Sequence, residues 1–319
     1  MRRLVASLAA LVPGLWAPLV AAAAFRFALI GDLPYSAGER QLFPQMLESL
    51  DREALAFVIH DGDFKDGDAR CDAAVYLDRR TLFEASWHPF IYTPGDNDWT
   101  DCQRSKAGAY DPAERLRYVR RLFFSDPRSL GRNKISLEHQ SDDPRFPAYR
   151  ENLRWRHEGI LFFTLNIPGS RNNWGKASLP GAEFLDRLRA NTAWMEAAFA
   201  QARRDDLAGV VVVIQANPGF EAANAGFPQP AYRPLLEQLQ YETQRYAGQV
   251  LFVHGDTHSF RFDRPLLHPQ TRQPLQNFRR VETFGHPWMG WVEVEADARR
   301  EDVFRIQGQP WAPQRQFAQ

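Results

Sequence analysis

The sequence predicts an α/β fold with a substantially parallel sheet. Short apolar runs rich in β-branched and aromatic residues alternate with segments of helical periodicity through the first two thirds of the chain. Polar side chains follow most of these runs, at the point where each predicted strand ends. Such alternation is typical of parallel strands joined by helical crossovers.

The predicted strands of this part are residues 25–30, 56–59, 90–92, 160–165, 210–214 and 250–253. Helical segments lie between most of them. In one of these, Asp111 precedes Pro112 and Glu114, which is the pattern of an N-cap, a proline in the first turn and a capping-box glutamate.

The last third of the chain changes character. Residues 260–267, 277–284, 291–295 and 302–306 are predicted as consecutive strands. We expect them to pair antiparallel, in a second sheet packed on the first. Residues 125–149 are polar and rich in Pro, Arg and Asp, and are predicted to form an inserted loop.

The composition is that of a globular protein, with 44% hydrophobic and 24% charged residues among 319. We expect a single domain over residues 25–319. The formal net charge is zero, which argues against a general nucleic-acid binder because such a protein needs a basic surface. Oligomeric state cannot be read from the sequence.

The first residues have the pattern of a secretory signal peptide. Arg2 and Arg3 precede an apolar run at 4–20, and four alanines at 21–24 offer a cleavage site. We therefore predict a leader over residues 1–24, a periplasmic or secreted mature protein, and no stable membrane span once the leader is cleaved. An uncleaved anchor is the alternative.

Two cysteines, Cys71 and Cys102, are present in the whole chain. In an exported protein an even pair predicts a disulfide, with two separate buried thiols as the alternative. Both follow polar loops at the ends of adjacent predicted strands, which would bring them close together.

Five predicted strands end in polar side chains of the kinds that bind metals. These are Asp32, Asp61, Asp63, Asp96, Asn97, Asp98, Gln215, Asn217, His254, Asp256 and His258. Ligands of open α/β sheets bind at the carboxyl ends of strands, and so many carboxylates would repel one another without cations. A single Gly-Asp pair is most often a turn, but the ordered set indicates a metal centre.

With these motifs the chain resembles the calcineurin-like metallophosphoesterase family, whose pattern is D-x-H, G-D-x-x-D, G-N-H-[DE], a strand-end histidine and G-H-x-H. Asp32 matches the first aspartate and residues 62–66 match the second motif fully. Residues 95–98 and 255–258 lie where the third and last motifs belong. Residues 94–102 also resemble the P-G-D-N-[DE]-W-T-D-C motif of a secreted bacterial subgroup.

The resemblance implies a two-sheet sandwich flanked by helices in a four-layer αββα arrangement, a dinuclear metal centre and phosphoester hydrolysis. The implied ligands are Asp32, Asp63, Asp96, Asn97, Gln215, Asp256 and His258. Asp63 would bridge two divalent cations, and either Asp96 or Asn97 would take the asparagine position of the third motif. Oxygen-rich ligands favour Mn, Mg or Ca, with Fe or Zn as alternatives.

The chain departs from the family pattern at the histidines. Pro34 and Asp256 replace two of them, and the histidine often assigned as general acid is missing. Asn97 or Asp98 would occupy its place. An amide cannot supply a proton, and a carboxylate can do so only with a raised pKa. His254 is a further candidate proton donor.

The sequence therefore predicts an exported metal-dependent hydrolase acting on a small phosphoester. The alternative is a non-catalytic metal- or phosphate-ligand-binding protein on the same scaffold, because fold does not guarantee activity. A hydrolase with a serine nucleophile is disfavoured, since no G-x-S-x-G motif is present.

Overall fold

A computed structural model describes residues 22–175 and 179–313. The strands are β1 (Phe25–Ile30), β2 (Val58–His60), β3 (Phe90–Tyr92), β4 (Glu138–His139), β5 (Leu153–His157), β6 (Ile160–Thr164), β7 (Gly209–Val213), β8 (Gln249–His254), β9 (Arg261–Asp263), β10 (Phe278–Glu282), β11 (Gly290–Ala296) and β12 (Phe304–Pro310). The helical segments are α1 (Ala37–Asp51), α2 (Ala73–Ala85), α3 (Pro112–Phe123), α4 (Gly169–Asn172), α5 (Ala182–Arg204), α6 (Phe220–Asn224) and α7 (Arg233–Gln244).

The predicted leader lies outside the described residues except for positions 22–24. Among the helices that the structure describes, none is both long and apolar enough to cross a membrane.

The strands form two mixed sheets. The five-stranded sheet has the order β12-β11-β1-β2-β3, and the seven-stranded sheet has the order β4-β5-β6-β7-β8-β10-β9. Aromatic side chains join the two sheets: Phe162 on β6 lies 5.3 Å from Phe27 on β1 and 5.1 Å from Phe57, between ring centroids. The prediction of an α/β two-sheet sandwich is confirmed.

Helices cover the outer faces of both sheets. Phe43 of α1 and Phe83 of α2 are fully buried in the core that includes the five-stranded sheet. Trp194 of α5 and Leu239 of α7 pack with the outward-facing residues of β6, β7 and β8 in a separate apolar cluster. Within each sheet, the parallel pairs β1–β2–β3 and β6–β7–β8 bring the carboxyl ends of their strands to the same edge.

The antiparallel pairs predicted for the last third of the chain are confirmed, since β9 pairs with β10 and β11 pairs with β12, but the four strands do not form one separate sheet. β10 lies parallel beside β8 in the seven-stranded sheet, whereas β11 pairs antiparallel with β1 and with β12 in the five-stranded sheet. The four strands therefore divide between the sheets. Their side-chain alternation fixes which face is buried, but it carries no information on which distant strand each one joins.

The segment over residues 125–149 is more than a loop. β4 pairs with β5, and Leu130 forms an isolated bridge with Phe90 of β3. Phe146 and Tyr149 are buried. At the start of α3 the Asp111 side chain accepts from the Glu114 backbone N at 2.8 Å, as predicted, but the Glu114 carboxylate pairs with Arg115 and does not close a capping box.

Cys71 and Cys102 form the predicted disulfide, with their Cα atoms 5.7 Å apart. Cys71 belongs to the loop after β2 and Cys102 to the loop after β3. The bond therefore joins the two loops that carry the second and third motifs.

Candidate metal centre

Four of the predicted ligands have an unusual backbone conformation. The φ angles are 50° at Asp32, 58° at Asp63, 79° at Asp256 and 61° at His258. Left-handed backbone at a residue with a side chain costs on the order of 1–3 kcal/mol and persists only where the surrounding structure imposes it. The loops after β1, β2 and β8 thus each contain left-handed backbone at a predicted ligand. This conformation turns the side chains toward a common cleft.

Close backbone approach also needs glycine at two places. A Cβ on Gly95 would lie 2.0 Å from Asp63 Oδ1, and one on Gly255 would lie 2.4 Å from Asp32 Oδ2. Any other residue at either position would push the carboxylates apart.

Tyr35 is a residue of this centre that the sequence analysis missed. Its hydroxyl lies 3.2 Å from both Asp32 Oδ1 and Asp63 Oδ2, and it accepts from Asn97 Nδ2 at 3.0 Å. A phenol carries one proton, so the hydroxyl donates to only one carboxylate at a time. Its position three residues after Asp32, in the loop of the first motif, is the signal that could have found it.

Gln215 is not oriented as the predicted ligand. Its Oε1 accepts from the Gly169 backbone N at 2.6 Å, and because a backbone N–H can only donate, this contact fixes the amide orientation. Nε2 then lies 3.1 Å from Asp63 Oδ2 and 3.3 Å from Asp256 Oδ1. Gln215 therefore crosslinks two carboxylates as a hydrogen-bond donor.

His258 has its tautomer set by the backbone. Nδ1 lies 2.7 Å from the His286 carbonyl oxygen, which can only accept, so Nδ1 carries a proton. Nε2 faces Asp32 Oδ1 at 3.5 Å. Burial opposes the charged ring, but the Asp32 carboxylate raises the pKa of His258. Either a proton or a cation is needed between these two atoms.

The third motif brings both of its candidates to the cleft. Asp96 Oδ1 is buried without a hydrogen-bond partner. The Asn97 amide is engaged with Tyr35, and its backbone N donates to Asp63 Oδ1 at 2.9 Å. Of the two alignments, the open oxygen favours Asp96 as the ligand.

Asp98, a predicted catalytic residue, organises the loops. Its carboxylate accepts from the backbone N of Asp63 at 3.0 Å, of Phe64 at 3.0 Å and of Gly95 at 2.8 Å, and from the Tyr92 hydroxyl at 2.7 Å. Burial raises the pKa of Asp98 to about 6. With four donors bound to its two oxygens, Asp98 is not placed to protonate a ligand in the cleft.

His254, the other predicted proton donor, does not line the cleft. Side chains alternate along a strand, so His254 points the same way as Phe252, toward the outer face of the seven-stranded sheet. The ring is fully buried, and burial lowers the pKa of His254 to about 3. It is therefore neutral and turned away from the cleft.

The cleft encloses about 350 Å³ and is strongly acidic. The carboxylates that line it belong to Asp63, Asp66, Asp68, Asp96, Asp101 and Asp256. Burial, together with Asp96, Asp98 and Asp32, raises the pKa of Asp63 well above its usual value. Burial and the Asp96 charge raise the pKa of Asp256 to about 7. Burial is the larger cause at both residues, and the crowding of like charges adds to it.

Arg104 is a second residue that the sequence analysis missed. It lines the cleft with its side chain about half exposed, and it pairs with Asp101 at 2.5 Å. Asp101 belongs to the W-T-D-C part of the matched motif, which was the available signal. Arg104 places a permanent positive charge beside the acidic residues.

The chemistry of this donor set fits hard divalent cations. In residues 22–175 and 179–313 no three acidic, histidine or cysteine side chains form a closed metal-binding group, and Tyr35 and Gln215 contact the carboxylates by hydrogen bonds. The open Asp96 oxygen, the His258 Nε2 and the repelling carboxylates are nevertheless the groups that a cation would satisfy.

Two solved structures share this two-sheet architecture. The chain is similar in structure to a dimetal phosphatase from Danio rerio, with a TM-score of 0.54 and 12% identity, over 90% of this chain and 96% of that one. It is also similar to PhoD, with a TM-score of 0.52 and 13% identity, over 88% of this chain and 65% of that one. No family model matches the chain, and no curated protein matches it in sequence. At this level of identity the similarity shows the fold.

Proposed function

We propose that this protein is a metal-dependent phosphoesterase. The observation that carries the proposal is the convergence of Asp63, Asp96 and Asp256 from three strand ends on one cleft, with Asp32 linked to Asp63 through Tyr35 and an Asp96 oxygen left open. An anionic phosphoester would be repelled from such a cleft unless cations were bound there.

Asp63 and Asp32 with His258 would hold one cation, and Asp63, Asp96 and Asp256 a second. Bound divalent cations supply charge neutralisation for a phosphoryl group and acidify water. Tyr35 and Gln215 would orient the carboxylates as hydrogen-bond donors. The preference for Mn, Mg or Ca over Fe or Zn remains a prediction from the oxygen-rich donor set.

Arg104 supports this function from the rim of the cleft. A guanidinium binds phosphate oxygens with charge-assisted hydrogen bonds. We expect Arg104→Met to raise KM for a phosphoester about tenfold, with less effect on kcat, in steady-state kinetics. An unchanged KM would exclude the contact.

The leaving group is expected to depart without a strong general acid. His254 does not line the cleft and Asp98 is engaged with the loops, while the Asn97 amide is too weak an acid to protonate a leaving group. Acidic leaving groups should therefore be cleaved faster than alkyl alcohols.

The site of action that we propose is the periplasm or the extracellular space. The basic and apolar pattern at residues 2–20 and the disulfide both support export. Mass spectrometry of the mature protein should give a chain beginning near Phe25. A membrane-bound form that retains Met1 would contradict this.

Asp63→Asn tests the metal centre. We expect the metal-loaded wild type to hydrolyse bis(4-nitrophenyl) phosphate or 4-nitrophenyl phosphate, and the variant to lose about a hundredfold or more in kcat/KM together with bound metal, because the bridging carboxylate becomes a neutral amide. Metal content is measured by elemental mass spectrometry.

Asp126→Asn is the matched control, since Asp126 is exposed and pairs with Arg128 outside the cleft. Full activity with full metal content in Asp63→Asn would refute the proposed centre. A wild type that binds metal but turns over no phosphoester would favour a non-catalytic binding protein instead.

A further inference from the structure

A large apolar groove opens beside the candidate metal centre. It has a volume of about 580 Å³, within the range of small-molecule sites. The side chains that define its character are Phe260, Phe284, Trp288, Met289 and Trp311, and His258 lines both this groove and the acidic cleft. The two spaces therefore adjoin at His258.

Three contacts hold the walls of the groove in place. Phe260 follows His258 by two residues and stacks on Phe284, with ring centroids 5.1 Å apart. The His286 carbonyl accepts from His258 Nδ1, and Trp288 comes two residues later. Trp311 is fixed by a bond from its indole N to Ser49 Oγ at 3.0 Å. Two of the groove residues, Phe260 and Trp288, therefore lie close in sequence to His258 and to the residue that binds its ring.

The absence of charged side chains in the groove favours an uncharged ligand. Among the residues that the structure describes, no Lys, Arg, Asp or Glu lines it, whereas the adjoining cleft is lined by six aspartates and one arginine. Four aromatic side chains present ring faces and edges, which favour stacking with another flat ring. Trp288 is 71% exposed, so its indole is free to contact a ligand.

We propose that the groove binds an uncharged aryl group, and that the substrates are aryl phosphoesters whose phosphoryl group lies in the acidic cleft. The substrate part rests on the phosphoesterase function proposed above. In the reaction, water adds its oxygen to phosphorus, the bond from phosphorus to the aryl oxygen breaks with its electron pair leaving on the phenolate, and one proton of water stays on the phosphate product while the other passes to solvent. A phenolate leaves without protonation, which suits a cleft without a general acid.

Binding of 1-naphthol, measured by isothermal titration calorimetry, tests the groove without any reaction. We expect Trp288→Ala to weaken binding about tenfold, because a stacking and burial partner is lost. Trp87→Ala is the matched control: Trp87 is 52% exposed and does not line the groove, so its variant should bind as the wild type does.

Turnover by the metal-loaded full chain tests the substrate class. The ratio of kcat/KM for 1-naphthyl phosphate to kcat/KM for 2,2,2-trifluoroethyl phosphate should fall about tenfold in Trp288→Ala and stay unchanged in Trp87→Ala. Comparing this ratio between the variant and the wild type cancels the intrinsic difference between the two leaving groups.

Failure to bind 1-naphthol, or equal binding by wild type and Trp288→Ala, would overturn the groove proposal whatever the activity. Binding to the groove with no turnover of either phosphate would overturn the phosphoesterase function and leave an aryl-binding site. Naphthol binding that appears only in a chain ending at Pro313 would assign the groove to the last residues of the chain. A dimer that Trp288→Ala dissociates would assign the groove to a second copy of the protein. Either result would overturn the proposal.

Discussion

At the scale of single residues, the cleft is held together by hydrogen-bond donors placed between carboxylates. Tyr35 lies between Asp32 and Asp63, and Gln215 lies between Asp63 and Asp256. Each donor offsets part of the repulsion that burial intensifies. The same donors leave an Asp96 oxygen without a partner, so the arrangement is held together but not fully satisfied.

Tyr35→Phe should therefore destabilise the metal-free protein. With chelator at pH 8, where the carboxylates tend to ionise, we expect the free energy of unfolding in urea to fall by about 1–3 kcal/mol because a donor to a buried carboxylate is lost. Saturating divalent metal should shrink the loss, since cations then neutralise the same oxygens.

Tyr110→Phe is the control for this change. The Tyr110 hydroxyl donates to Asp72 on the protein surface, where such a bond contributes little. A Tyr35→Phe variant as stable as Tyr110→Phe in chelator would show that the hydroxyl does not offset carboxylate repulsion.

Sequence reasoning identified the residue types at this site better than their roles. Asp32, Asp63 and Asp256 could be found because each follows an apolar run directly, and strand ends meet at one edge. The outward orientation of His254 depends on which face of β8 is covered by helices. The donor role of Gln215 depends on Gly169, 46 residues away, so neither could be seen locally.

At the scale of elements, the disulfide links the two loops with the densest set of site residues. Asp63 follows β2 and Asp96 follows β3, and the bond between Cys71 and Cys102 joins the chain just beyond each. The Tyr76 hydroxyl, on α2, donates to the Asp98 carbonyl at 2.9 Å and ties the same region to the helix. The bond therefore constrains the relative position of two motif loops.

Replacing both cysteines by alanine should lower the free energy of unfolding by about 3–4 kcal/mol, the chain-entropy value for a closed loop of 31 residues. Urea unfolding of the oxidised wild type and the double variant measures the difference. Dithiothreitol should lower the stability of the wild type and leave the variant unchanged. Equal stability of wild type and variant in oxidising buffer would show that the loops are held without the bond.

Elements were predicted well where the pattern is local. The N-cap at Asp111 and the strands β1 and β3 lie where the sequence placed them. The last strands were assigned to the wrong sheets because β11 joins β1 across more than 260 residues. Such a pairing depends on packing between the sheets, and no local pattern encodes it.

At the scale of the whole molecule, stability and function oppose each other in the cleft. Burial and the neighbouring Asp96 charge raise the pKa of Asp256 to about 7, well above the value of an aspartate in an unfolded chain. At Asp256, the folded protein therefore binds more protons than the unfolded chain between about pH 4 and 7. The contribution of Asp256 to stability is full below this window and is lost as pH rises through it.

Asp256→Asn should stabilise the protein in chelator and destabilise it, relative to the wild type, in saturating metal. In chelator the variant should match the wild type near pH 4 and exceed its free energy of unfolding at pH 8 by roughly 2–4 kcal/mol, because an amide does not ionise. Because His60 and His254 are buried and neutral, their protonation lowers the free energy of unfolding as pH falls. Both proteins contain these histidines, so this effect cancels in the difference. With saturating divalent metal at pH 8 the wild type should become the more stable protein, since it alone keeps the ligand and binding stabilises the folded state.

Urea unfolding at both pH values, with chelator and with metal, measures all four differences. A variant that is less stable than the wild type in chelator at pH 8 would show that Asp256 is not the strained carboxylate described here, and a variant that gains as much from metal as the wild type would remove Asp256 from the centre.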